Sequence, residues 1–221
     1  VNGGQGQVID VALYESVFNV MESLLPEYDA FGAVRGAAGS AQINALSTTQ
    51  IQALTETQIK NLSTSQISAL ETADVAAIDV YQVASLSNTF VGALSTGQVT
   101  ALSASQVSKL SDTQFAQLGT DDLVALTTTQ MGSVTAAQIN GLTSAQIQSL
   151  QTADLQAFRA AQVSTLTTTS FSALSTGQVA ALTTDQVSKG LSTDQVVALT
   201  TGQVAALKTE LARFPDLETA R

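Results

Sequence analysis

Any chemistry in this chain has to come from hydroxyls, carboxylates, amides and a few lysines, because it contains no Cys, His or Trp. The commonest general base and the best thiol nucleophile are therefore absent. Ser108-Lys109 and Ser188-Lys189 have the residue types of a Ser-Lys nucleophile pair. Both pairs fall at the same two places of a repeat, which reads as surface variation. Asp121, Asp122, Asp185 and Asp194 are carboxylates of the kind that bind calcium, but no EF-hand or glycine-aspartate nonapeptide surrounds them. Carboxylates in a first helical turn are also favoured by the helix dipole. Asn61-Leu62-Ser63 is a single glycosylation sequon, and no phosphate-cradling loop is present. The expectation is no catalytic, cofactor-binding or metal-binding residue.

What positions these residues is a short rule. In "LSTTQIQALTETQIKNLSTSQISAL", Leu46 to Leu70, leucine returns every eight residues, Ser or Thr follows it, and Gln comes three places later. Twenty consecutive octads run from Leu46 to Ala206, broken in register only by Gly190. The consensus is L-[S/T]-T-x-Q-[V/I]-x-A. Position two is Ser or Thr in fifteen octads and position five is Gln in fifteen. A partial octad, "AGSAQINA", begins at Ala38.

Ser/Thr-x-x-Gln is the spacing of a helix capping box, and a Leu before the cap with Val or Ile at the fourth helical position is that of a hydrophobic staple. Each octad therefore carries two devices for starting a helix, and the next octad starts another. The pairs Ser47 and Gln50, Thr55 and Gln58, Ser63 and Gln66, Ser95 and Gln98, Thr143 and Gln146, and Ser175 and Gln178 are the predicted structural caps. Helices under two turns do not survive alone, so they must stack through Leu at position one, Val or Ile at six and Ala at eight. The fold expected is an all-α solenoid of very short capped helices. A β-solenoid is the alternative, since Thr and Val favour strands. Strict alternation and regularly placed turn residues are missing, which favours the helical reading.

The irregular octads are informative. Position five is Asp74, Asp122 or Asp154 where position two is Glu71, Gly119 or Gln151, which suggests that the two positions touch. Phe90 and Ser170 replace Gln while the cap stays, and Asp79 and Arg159 replace the cap while Gln stays. Phe90, Phe115, Phe158 and Phe171 imply a locally thicker core or a contact between chains. Residues 70–109 and 150–189 align without gaps and share 22 of 40 residues. The solenoid, residues 38–207, thus looks like two blocks of about eighty residues, 46–125 and 126–207.

Residues 1–37 do not follow the octad. Val8 to Leu13 reads as a strand, Val17, Val20, Met21, Leu24 and Leu25 fall at helical spacing, and Pro26 closes that helix. The stretch "GQGQVIDVALYESVFNVMESLLPEYDAFG", Gly4 to Gly32, resembles a segment of the class III CoA-transferases, the formyl-CoA and carnitinyl-CoA transferase family. In that family the catalytic aspartate lies upstream of this segment, so the resemblance implies borrowed sequence without the activity. Residues 1–37 and 208–221 are expected to cap the two solenoid ends. The octads look like the LTTxQVxAL arrays of large acidic bacterial surface and secreted proteins. They are also similar to the helix start of TAL-effector repeats, whose DNA-reading residues have no match here.

The formal charge is −10 with only eight Lys and Arg, which disfavours nucleic acid and anionic membrane surfaces. No apolar run reaches spanning length and no signal-peptide pattern opens the chain. The expected role is structural: a spacer, stalk or filament subunit, self-associating and placed at the bacterial cell surface or outside the cell. The alternative is a monomeric solenoid that binds a protein or a surface such as ice, through its Thr rows.

Overall fold

A computed structural model of the chain describes Ile43 and residues 46–211, with side chains through Leu207. The expected strand and helix of residues 1–37 and the cap at 208–221 lie outside the described side chains. Among the described residues there are twenty helices and no strand, running from Thr48–Ala53 to Thr201–Leu211. The helical solenoid is the fold, and the β-solenoid is not.

Each corner is made by two residues. In the first described octad boundary, Leu54 closes the helix Thr48–Ala53 with φ −62° and ψ 135°, and Thr55 opens the next with φ −71° and ψ 158°. Both are extended, so the backbone reverses out of α geometry at Leu and re-enters it after the cap. The helices between corners are four to seven residues long, from Asp112–Phe115 to Thr184–Gly190. The last helix, Thr201–Leu211, is longer. The octad pattern stops at Leu207-Lys208, and the helix runs past the expected solenoid end to Leu211.

Helices pack on the third helix along the chain: Thr72–Ala77 on Thr96–Ala101, Ala104–Lys109 on Thr128–Ser133, and Ala160–Ser164 on Thr184–Gly190. The chain therefore coils, and each turn lies on the one before. Leu at position one and the apolar residue at position six form one continuous core, with Ile67, Val99 and Val179 at 0% exposure. Burying each such side chain is worth about 1.5–3 kcal/mol. Ala at position eight contributes less than expected. Ala69, Ala93 and Ala173 are only partly buried against that core. Phe90, Phe115 and Phe171 are fully buried and Phe158 nearly so, which makes them core and not a contact between chains.

The extra residue, Gly190, is absorbed at a close approach. A Cβ there would lie 2.9 Å from the Ala160 carbonyl oxygen, so the turn below leaves room for hydrogen only.

Candidate functional site

The feature repeated along the described chain is not a pocket but a hydrogen-bonded seam, and it is built from the cap upward. The Ser95 hydroxyl accepts from the Gln98 N–H at 3.4 Å, and Gln98 Oε1 accepts from the Ser95 N–H at 2.8 Å. The box is complete at Ser47 and Gln50, Thr55 and Gln58, and Ser63 and Gln66. It is equally complete at Thr143 and Gln146 and at Ser175 and Gln178. In several octads the cap hydroxyl also donates to the same Oε1, at 2.9 Å from Ser63 to Gln66. The cap residues themselves face solvent, whereas Gln66, Gln98 and Gln178 are buried.

The buried amide has a second task that lies outside any single octad. Gln98 Nε2 donates to the Ile67 carbonyl at 2.8 Å and to the Leu70 carbonyl at 2.7 Å. These are 31 and 28 residues earlier in the chain. Gln106 reaches Val75 and Ile78, Gln138 reaches Val107 and Leu110, and Gln178 reaches Ile147 and Leu150 at the same offsets. The acceptors are a carbonyl in the last turn of a helix, which also takes the N–H of its own C-cap, and the carbonyl of that C-cap. One glutamine thus caps the start of its own helix with its oxygen and the end of a helix one turn below with its nitrogen. The offset of 28 residues is three and a half octads, so each helix start sits over a corner of the turn below, as in brickwork. After Gly190 the offsets become 29 and 32, as Gln195 reaches Leu166 and Val163. Eighty residues are a little under three turns of 28, so the duplicated block is not a whole number of turns.

Gln146 reaches the Ala116 and Leu118 carbonyls at 3.0 and 2.8 Å.

The exceptions keep half of the arrangement. Asp74 accepts from the Glu71 N–H at 3.2 Å and Asp122 from the Gly119 N–H at 3.0 Å, but neither Glu71 nor Gly119 caps its helix through a side chain. Asp122 is tied to the turn below by the Thr96 hydroxyl at 2.8 Å. Where Asp154 stands at position five, the glutamine has moved to position two, and Gln151 Nε2 reaches the Val124 carbonyl at 2.7 Å. Burial pushes the Asp74 and Asp154 carboxyls above the ordinary carboxylate range, and a backbone N–H on each pulls it partway back. Asn140 joins its turn to the next differently, donating to the Thr165 carbonyl and accepting from the Thr167 N–H.

The residues with possible chemistry are not brought together. Ser108 donates to the Ser105 carbonyl, and Lys189 pairs with Asp185 at 2.9 Å, both exposed. Among the described residues no group of three or more His, Cys, Asp or Glu could hold a metal ion, and no helix is long and apolar enough to cross a membrane.

Two overlapping stretches, residues 115–152 and 147–184, match the ALTTAQ repeat. The succinyl-CoA–D-citramalate CoA-transferase of Chloroflexus aurantiacus is 49% identical over 37 residues, 17% of this chain and 9% of that protein. The succinyl-CoA–L-malate CoA-transferase alpha subunit of Chloroflexus aurantiacus is 40% identical over 43 residues, 20% of this chain and 10% of that one. The chain spans about a tenth of the length of the curated relatives it matches. No solved structure matches it. Its array is a tandem repeat of short helices, similar over residues 115–184 to the ALTTAQ repeat.

Proposed function

We propose that this chain is a structural element, a spacer, stalk or filament subunit that acts at the bacterial surface or outside the cell. The observation that carries the reading is the seam of glutamine amides, which joins each turn to the one below by the same bonds along the array. Such nearest-neighbour bonding extends without limit of length and gives a rod whose stiffness grows from repetition. Roughly six turns at a helix spacing of about 8–10 Å make a rod on the order of 50 Å long.

Self-association is part of the proposal. The form proposed is a head-to-tail join between solenoid ends. A head-to-tail join of this kind builds an open fibre instead of a closed ring. Neither catalysis nor nucleic-acid binding is part of the role, given the residue types present and the charge of −10. The CoA-transferase likeness is read as borrowed sequence at the N-terminus.

A binding module is the second reading. It is favoured by the exposure of consecutive threonines at Thr127 to Thr129 and Thr167 to Thr169. Electron microscopy of the purified chain separates the two. Filaments or end-joined rods are expected at moderate concentration without ligand. Discrete short rods at every concentration would end the filament reading and favour a monomeric spacer or binder.

A further inference from the structure

Asp154 interrupts the seam from inside the array. On either side of it, Gln146 reaches the Leu118 carbonyl and Gln162 the Val134 carbonyl, each 28 residues back. Asp154 holds the same register place, 28 residues after Leu126, with a side chain one methylene shorter than glutamine. Asp154 is 2% exposed, and its Oδ2 is buried with no hydrogen-bond partner. An ionised carboxylate offers acceptors only, and so does a carbonyl. From Gln82 to Gln203 every glutamine at this place donates to the turn below, and an ionised Asp154 has no donor to offer.

We propose that Asp154 is a proton-operated joint between two turns of the solenoid. With the proton bound, the carboxyl supplies the donor that the glutamine amide supplies elsewhere. With the proton gone, two acceptor groups face each other in a buried place and the joint loosens. Gln151, bonded to the Val124 carbonyl, holds the same two turns independently of pH, so the joint weakens instead of parting.

No charge competes for the proton. The helices packed on Thr152–Gln156 are Thr128–Ser133 and Thr176–Ala180, and neither contains an ionisable residue. On adjoining elements, Asp121 and Arg159 face solvent and Asp122 is held by Thr96 and Gly119. Asp185 and Lys189 pair with each other. Burial raises the pKa of the Asp154 carboxyl, with the Gln151 backbone opposing. The sign follows. The cost of ionisation is fully present above the raised folded-state value and fades as pH falls toward the unfolded value of about 3.9.

The test is thermal unfolding of the full chain and its Asp154→Asn variant at pH 7.5 and pH 4.0, with exposed Asp112→Asn as the control. The expected result is a melting temperature higher by roughly 2–5 °C for Asp154→Asn at pH 7.5, closing at pH 4.0, with no change of gap for the control. An equal gap at both pH values, or one that widens on acidification, overturns the proposal. Carbon NMR of the Asp154 carboxyl in the unmodified chain gives an independent reading. It should titrate above the ordinary Asp value of about 3.9, and titration at or below that value likewise overturns the proposal.

Discussion

At the scale of single residues, the protein depends on a side chain with two unlike ends. Glutamate would serve the capping box as well as glutamine, yet position five holds fifteen Gln, three Asp and no Glu. The amide nitrogen explains the bias, because only it can donate to the carbonyls one turn below. Gln98→Glu keeps the acceptor for the Ser95 N–H, loses the bonds to Ile67 and Leu70, and places a charge where exposure is 2%. Its cost should be about 3–5 kcal/mol. Ser95→Ala, which removes one exposed cap, should cost about 1 kcal/mol. Urea unfolding of the two variants measures the difference, and a Gln98→Glu cost no larger than that of Ser95→Ala would remove the inter-turn role. The box was legible in the sequence because both its partners lie within one octad. The second bond was not, because its acceptor depends on the size of the turn, and 28 is not a multiple of eight. The missing glutamates were the trace it left.

At the scale of elements, every helix is too short to persist alone, and its place is set by what lies one turn away. Gly190 shows this most sharply. In the sequence it was only a slip of register. The structure adds that a Cβ there would meet backbone, the Ala160 oxygen at 2.9 Å, with Cα of the same residue at 3.2 Å. Backbone cannot swing aside as a side chain can, so Gly190→Ala should destabilise the chain by roughly 1–3 kcal/mol. Gly97 lies inside the helix Thr96–Ala101, where an added Cβ meets only the Thr72 methyl at 3.9 Å. Gly97→Ala should therefore be neutral or stabilising by up to about 1 kcal/mol through helix propensity. Calorimetry of both variants checks the pair, and equal effects would mean that the close approach at Ala160 relaxes freely. The period, the caps and the corners were legible because each is local. Which helices touch was not, since the octad pattern fixes the buried face of a helix without fixing how many helices complete a turn.

At the scale of the whole molecule, the array is close to one-dimensional: each turn meets only its two neighbours, and the contacts repeat with the octad. Its tolerance of length change should depend on whether the octad register survives. Removing Leu142 to Ser149 takes out one full unit and brings Leu150 to follow Gly141. Every later Leu, cap and position-five residue then lands where an equivalent stood, and the seam re-forms one octad over. Removing only Gln146 to Ser149 keeps the chain longer but puts each later position one against a former position five. Cores then face glutamine amides, and carbonyls lose their donors, in the one turn that spans the cut, as where Gln162 reaches Val134. The shorter protein should retain a sharp thermal transition within several degrees of the parent, while the longer one should lose it or unfold in two steps, the coil below the cut separately from the rest. Circular dichroism melting of the two deletions decides the matter. If both behave alike, stability comes from the individual octads or from unspecific collapse, and the turn-to-turn seam is not what holds the rod.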